Sequence, residues 1–62
     1  MEKVLIKPDG FVKTVILNRP EKRNALDLEM LEILYNFFSA EPEVNDRVIV
    51  IRGEGPSFCA GI

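Results

Sequence analysis

Apolar and polar residues change their spacing along the chain, and the first change predicts a hairpin. A short apolar run, Val4-Leu5-Ile6, is followed by Pro8-Asp9-Gly10, which favours a tight turn because proline presets φ and glycine accepts a left-handed backbone. Phe11 to Leu17 is rich in aromatic and β-branched residues, which are enriched in strands. We therefore predict an antiparallel hairpin over residues about 3–17.

A helical pattern begins after a polar, proline-containing loop over residues 18–24. From Asp27 onward the apolar residues recur at helical spacing, which predicts a helix over about 27–40 with Asp27 as its N-cap. We expect the helix to end before Pro42, since proline disfavours helical geometry in the residue that precedes it. The predicted apolar face consists of Leu28, Leu31, Leu34, Tyr35 and Phe38.

Four β-branched residues in succession, Val48 to Ile51, predict a third strand over about 47–52. A strand that is apolar on both faces is typical of a sheet covered on both sides, as in parallel α/β proteins. The fold class is therefore α/β with the order β-β-α-β, and residues 41–46 are predicted to form a surface connection. The last residues are apolar, so we expect residues 1–62 to be an incomplete part of a single domain.

Composition narrows the classes of protein that this chain can represent. Its 62 residues include 8 basic and 10 acidic side chains, and this balance argues against a dedicated nucleic-acid binder. The single cysteine cannot close an intrachain disulfide, and without histidine a structural zinc site is excluded. No apolar run approaches the ~20 residues of a membrane span, and the first residues lack the apolar stretch of a signal peptide. We therefore expect a cytoplasmic protein with no metal, nucleic-acid or membrane partner.

Three features could carry chemistry, and each has a simpler structural interpretation. Gly53 and Gly55 follow a strand, but the remaining residues of a dinucleotide or P-loop motif are missing, which favours a tight turn. Cys59 has no histidine base and lies between apolar neighbours, which favours a small buried packing residue. The acidic residues fall mostly on predicted exposed positions. Taken alone, the residues therefore identify no catalytic side chain.

Two segments together resemble the enoyl-CoA hydratase/isomerase (crotonase) family. Residues 17–26 read Leu-Asn-Arg-Pro-Glu-Lys-Arg-Asn-Ala-Leu, similar to the L-N-R-P-x-x-x-N-A-L segment of that family. Residues 46–53, followed by Phe58-Cys59-Ala60-Gly61, are similar to its strand, turn and F-x-A-G segment. The resemblance covers the chain from about Val4 onward. It implies the β-β-α-β start of a crotonase-like spiral fold, found in longer chains that assemble as homotrimers or hexamers.

The resemblance also implies a substrate and a set of site residues. The substrate would be an acyl-CoA thioester, with coenzyme A as part of the substrate and no separate cofactor. The family's oxyanion hole consists of two backbone N–H groups, of which one would belong to Ile62. Gly61 would allow the close approach of the ligand, and the backbone of Ala60 would meet the adenine end. The coenzyme A-binding residues implied are Lys22, Arg23, Ala25, Ala60 and Gly61.

Several reactions are compatible with these motifs. The implied reaction is the hydration of a 2-enoyl-CoA through an enolate held in the oxyanion hole, with the proton-transferring glutamates beyond Ile62. On this interpretation the 62-residue chain alone is inactive. Isomerases, dehalogenases, decarboxylases and thioester hydrolases of the family share the same motifs, and a non-catalytic binding module remains an alternative of another class. Solvated loop charges are the corresponding alternative for Lys22 and Arg23.

Overall fold

The computed structural model describes residues 2–40 and 47–61, and it confirms the predicted order β-β-α-β. The predicted connection 41–46 lies outside the described residues. The elements are β1 (Val4–Asp9), β2 (Val12–Leu17), a short 3₁₀ turn (Pro20–Lys22), α1 (Leu28–Ser39) and β3 (Val48–Gly53).

The hairpin forms from the predicted strands, but its turn lies further along the chain than the sequence indicated. Asp9 pairs with Val12, so the chain reverses over Gly10 and Phe11 and β1 includes Pro8. Gly10 has a φ of 61°, a left-handed conformation that glycine adopts without steric penalty. Pro8 is tolerated in β1 because this strand lies at the edge of the sheet.

Strand β2 occupies the centre of the three-stranded sheet, antiparallel to β1 and parallel to β3. The parallel register runs from Val12 opposite Val48 to Leu17 opposite Gly53, so β2 and β3 end at the same edge of the sheet. The polypeptide that follows each of these two strands therefore emerges at one place.

Strand β3 is an edge strand, on the side of β2 opposite β1, and its apolar residues remain exposed. The four residues from Val48 to Ile51 are 41–49% exposed, which differs from the covered strand that their sequence predicted. The reason is that α1, the single helix longer than one turn in the described ranges, packs against the hairpin instead. The apolar pattern of β3 is thus that of a covered strand, while the described part of the chain leaves it open.

A small apolar core lies between the hairpin and α1. Val15 and Met30 are fully buried, and Val4 and Leu17 are nearly so. Partly buried side chains packed against them are Leu26, Ile33, Leu34, Phe37 and Cys59.

The helix presents a different face to this core from the one that the sequence predicted. Met30, Ile33 and Phe37 pack inward together with Leu34, which belongs to both faces. Both stripes recur at helical spacing because α1 is apolar around much of its circumference, so periodicity alone could not select between them. The residues of the predicted face that are instead exposed are Leu28 (83%), Tyr35 (72%) and Phe38 (49%).

The amino end of α1 is capped as the sequence predicted. Asp27 accepts a hydrogen bond from the backbone N–H of Met30 at 2.9 Å, satisfying one of the free donors of the first turn. The cap lies among cations, since Arg19 Nη1 is 3.8 Å from Asp27 Oδ2. Within the described ranges, no helix is both long enough and apolar enough to cross a membrane.

Candidate functional site

Two loops meet at the edge where β2 and β3 end. Residues 18–27 connect β2 to α1, and residues 54–61 follow β3. The backbone N–H of Glu54 donates to the carbonyl oxygen of Leu17 at 2.9 Å, so the pairing of the strands extends one residue into the loops. The carboxyl edge of neighbouring parallel strands is where α/β folds commonly bind ligands.

The first loop folds back on itself through a short turn and two left-handed residues. Pro20 begins the 3₁₀ turn, and the N–H of Arg23 closes it by donating to the Pro20 carbonyl at 3.0 Å. Arg23 and Asn24 then have φ values of 50° and 59°, which is uncommon for residues other than glycine. This reversal directs the Asn24 side chain back toward the second loop.

The side chain of Asn24 is completely buried and connects the two loops. Its Oδ1 accepts a hydrogen bond from the N–H of Arg19 at 2.8 Å. Its Nδ2 donates to the carbonyl oxygens of Glu54 and Ser57, each at 2.9 Å. One amide therefore joins backbone groups that lie 30 and 33 residues further along the chain.

Gly53 makes room for this connection at the end of β3. A Cβ atom at this position would lie 2.6 Å from Asn24 Nδ2, 2.5 Å from the Phe58 carbonyl oxygen and 2.8 Å from that of Ser57. Two of these neighbours are backbone atoms that cannot rotate away. The sequence predicted a tight turn here, and the structure shows that space is what requires glycine at residue 53.

A second connection brings the two family-like segments together. The N–H of Leu26 donates to the carbonyl oxygen of Gly61 at 2.8 Å. Ala25 and Ala60 each precede one of these two residues, so the predicted binding residues of both loops lie on adjoining stretches of backbone. Gly61 has a φ of 108°, which only glycine adopts readily.

The predicted cationic residues lie on the outer side of the first loop, where Lys22 and Arg23 are both exposed. Ala25 is partly buried, and its backbone is engaged within the loop. Its N–H donates to the Lys22 carbonyl at 3.0 Å, and its carbonyl accepts from Arg19 Nη1 at 3.0 Å. A ligand can therefore use the second lone pair of the Ala25 carbonyl and the side-chain charges of Lys22 and Arg23.

The second loop places its site residues differently. Ala60 and Gly61 are exposed, while Cys59 is partly buried and packs against the core. The Gly61 N–H lies 3.4 Å from Cys59 Sγ, so the thiol supports the turn of the backbone. Ile62, the predicted oxyanion donor, lies outside the described residues.

Sequence reasoning assigned no role to Asn24 beyond its place in the resemblance. An asparagine in a polar loop suggests a left-handed turn residue, and this signal was available. Its partners in the second loop are backbone carbonyls. Every residue has one, so the residue types in that loop do not reveal the contact. Across residues 2–40 and 47–61, the structure contains no group of three or more His, Cys, Asp and Glu side chains that could hold a metal ion.

Comparison with known proteins identifies relatives of this architecture. A probable enoyl-CoA hydratase of Mycobacterium leprae is 48% identical over 54 residues, covering 81% of this chain and 22% of the relative. The 3-hydroxyisobutyryl-CoA hydrolase 1 of Arabidopsis thaliana is 36% identical, covering 94% of this chain and 16% of the relative. Among solved structures, a candidate enoyl-CoA hydratase of Thermobifida fusca in complex with acetoacetyl-CoA is 37% identical, with a TM-score of 0.86.

That structural match covers 97% of this chain and 23% of the Thermobifida fusca protein. The chain thus spans about a fifth of the length of the curated relatives that it matches. The family model described as enoyl-CoA hydratase/isomerase matches residues 12–62, which include both loops together with β2, α1 and β3. On the strength of this match and of the joined loops, the chain belongs to the enoyl-CoA hydratase/isomerase family.

Proposed function

We propose that this chain supplies the coenzyme A-binding edge of an enoyl-CoA hydratase, which adds water across the double bond of a 2-enoyl-CoA thioester. The hydrogen bond from the Leu26 N–H to the Gly61 carbonyl carries this proposal, because it holds the two family-like segments side by side. The acetoacetyl-CoA complex of the Thermobifida fusca protein supports the choice of an acyl-CoA ligand. Coenzyme A enters as part of the substrate, and the proposal needs no separate cofactor.

The binding step uses the exposed side of the joined loops. Lys22 and Arg23 offer positive charge to the phosphates of coenzyme A, and their exposure leaves them accessible to a ligand of that charge. The backbones of Ala25 and Ala60 lie along the remainder of the coenzyme A portion of the substrate. Gly61 allows the backbone to approach the ligand closely, because glycine has no side chain to obstruct it.

The chemical step needs a hydrogen-bond donor that stabilises the negative charge developing on the thioester oxygen. We assign this role to the backbone N–H of Ile62, which follows the left-handed Gly61. A backbone donor is independent of the side chain, and removal of one such donor typically costs ~10²–10³ in rate. We assign the second donor and the proton-transferring carboxylates to residues outside this chain. The proposal also includes assembly as a homotrimer or hexamer.

The test measures hydratase activity of the protein expressed at the full length of its reading frame. Hydration of crotonyl-CoA is followed by the loss of absorbance of the conjugated thioester, and we expect turnover well above the protein-free rate. The 62-residue chain, assayed alongside, is expected to be inactive because it offers one donor of the pair. Crotonyl-CoA that binds but is not hydrated would contradict the hydratase proposal.

A second candidate activity is the hydrolysis of 3-hydroxyisobutyryl-CoA, favoured by the Arabidopsis thaliana relative at 36% identity. Both reactions begin with an acyl-CoA thioester, and the same two loops would bind it. Release of free thiol from 3-hydroxyisobutyryl-CoA without hydration of crotonyl-CoA would select the hydrolase. A protein that binds acyl-CoA and turns over neither substrate would indicate the non-catalytic binding module.

A further inference from the structure

The amide of the Asn24 side chain forms its hydrogen bonds with backbone groups of the protein, so it is not available to bind a ligand directly. Both hydrogens of Nδ2 are donated to carbonyl oxygens of the second loop, and Oδ1 accepts from the Arg19 N–H. The side chain is fully buried. Its effect on any ligand must therefore be transmitted through the backbone segments that it holds.

Only an asparagine fits all of these requirements at residue 24. The left-handed backbone, with a φ of 59°, favours glycine, asparagine or aspartate. Glycine has no side-chain donor, and an ionised aspartate is an acceptor only, which would face the carbonyl oxygens of Glu54 and Ser57. Two donors and one acceptor on a short side chain are thus matched to three backbone partners.

The segments that Asn24 joins are those that carry the proposed coenzyme A contacts. Ala25 is its direct neighbour in the first loop, while Ser57 lies three residues before Ala60 in the second. We infer that Asn24 is the positioning residue of the coenzyme A site, setting the separation of the two loops by its side-chain amide without touching the ligand. This inference rests on the proposed acyl-CoA function.

A purely structural role would have a different signature from a positioning role. If Asn24 contributed stability alone, its replacement would lower the melting temperature and leave the affinity of the folded protein unchanged. If it sets the separation of the loops, the folded variant binds coenzyme A more weakly. A misplacement of about 1 Å can cost ~10²-fold in a rate that depends on geometry, and the hydrogen bonds of a bound ligand depend on the same placement of the two loops.

The principal test uses Asn24→Asp, which preserves the size of the side chain and its left-handed preference but removes both donors. Asn18→Asp is the matched control, since Asn18 Nδ2 also donates to a backbone carbonyl, that of Glu2 at 2.8 Å, away from the second loop. The dissociation constant for coenzyme A is measured by calorimetry on the full-length protein, well below each melting temperature. We expect about a tenfold increase in the dissociation constant for Asn24→Asp, equivalent to the loss of about one hydrogen bond in the coenzyme A site, and a dissociation constant within twofold of the unsubstituted protein for Asn18→Asp. Equal affinities for the two variants would overturn the inference.

A second measurement applies even where Asn24→Asp does not fold. Hydrogen exchange of the Arg19 amide, which donates to Asn24 Oδ1, is followed in the unsubstituted protein with and without coenzyme A. We expect the ligand to slow this exchange, because it stabilises the arrangement that Asn24 holds. Exchange that is unaffected by bound coenzyme A would contradict the inference. A protein that binds no coenzyme A before any substitution would instead overturn the proposed function, and this inference with it.

Discussion

Lys3 Nζ lies 2.6 Å from Asp27 Oδ2, so one ion pair connects the residue before β1 with the N-cap of α1. The other oxygen of the same carboxylate accepts the hydrogen bond from the Met30 N–H. Asp27 thus starts the helix with one oxygen and holds the amino end of the chain with the other. Because the first loop ends at this residue, the pair also fixes where that loop joins α1.

This pair predicts a loss of stability at both extremes of pH. The hydrogen bond from Lys3, with that from the Met30 N–H, holds the pKa of Asp27 below its ordinary value of 3.8. Its contribution is therefore fully present above pH 3.8 and is lost as the pH falls through the lower folded-state pKa. The same pair raises the pKa of Lys3 above 10.5, so its contribution is present below that pH and is lost as the pH rises through the folded-state pKa.

Melting temperatures measured across the pH range, for the protein and its variants, check this prediction. Asp27→Asn retains an acceptor for the cap but removes the charge, so we expect a smaller decline on the acid side. Lys3→Met should reduce the decline on the basic side. Asp27→Ala also removes the cap and should melt lowest at neutral pH. An acid decline that is unchanged in Asp27→Asn would refute the assignment.

Substitution of Gly53 should destabilise the protein more than substitution of Gly10. Gly53→Ala forces a Cβ to within 2.5 Å of a backbone carbonyl oxygen, and we expect a loss of about 3 kcal/mol, the upper part of the usual range for overpacking. Gly10→Ala places its Cβ in open space and costs about 1 kcal/mol for the left-handed backbone. Urea unfolding of both variants measures the difference. Similar losses would show that the second loop moves aside easily.

Arg23 should oppose stability while favouring the binding of coenzyme A. Its φ of 50° is unfavourable for a side chain with a Cβ, so Arg23→Gly should raise the free energy of unfolding by about 0.5–1 kcal/mol. The same change removes a cation from the proposed phosphate contacts and should weaken binding, whereas Arg23→Lys keeps the charge and should retain it. Calorimetry with coenzyme A and urea unfolding separate the two effects. Unchanged affinity in Arg23→Gly would favour the alternative of a solvated loop charge.

The proposed oxyanion donor predicts that the backbone of residue 62 matters more than its side chain. In the full-length protein, Ile62→Pro removes the N–H and should lower kcat by ~10²–10³. Ile62→Val preserves the N–H and should change kcat little. Melting temperatures establish whether both variants are folded. Equal kcat values at equal stability would exclude this donor.

The open edge at β3 predicts self-association of the 62-residue chain. The exposed run from Val48 to Ile51 is β-branched and uncharged, and such a run on an edge strand can pair with a second copy through its free backbone groups. Val50→Lys should reduce this association, because a lysine on an edge strand disfavours pairing. Ile6→Lys, at a residue of β1 with similar exposure, is the control and should have a smaller effect. Sedimentation at several concentrations tests this, and a chain that stays monomeric throughout would contradict it.

The order of elements could be predicted because each has a local cause. The β-branched strands, the Asp27 cap and the glycine of the turn act within a few residues of one another. The turn itself was displaced because Pro8 and Asp9 pair as part of β1, which depends on the register with β2. Register is a property of two strands, and the sequence of one does not specify it.

The face of α1 and the role of Asn24 could not be predicted, for a related reason. Leu28 and Phe38 are as apolar as Ile33 and Phe37, so the choice of the buried stripe depends on how the hairpin meets the helix. Asn24 binds to backbone carbonyls of a distant loop, and any residue there has a carbonyl. Both features arise from tertiary contacts that spacing along the chain does not encode.

The two ends of the sheet have different consequences for the evolution of this chain. At the end opposite the loops, Phe11 receives backbone hydrogen bonds from Arg47 and Val48 at 2.9 and 3.0 Å, and these depend on no side chain. Apart from the Arg47 guanidinium, which lies 5.1 Å from the centre of the Phe11 ring, side chains at that end can therefore vary without breaking these two hydrogen bonds. At the loop end, a side chain at residue 53 would meet two backbone carbonyls as well as the Asn24 amide, so this position stays restricted to glycine whatever residue stands at position 24.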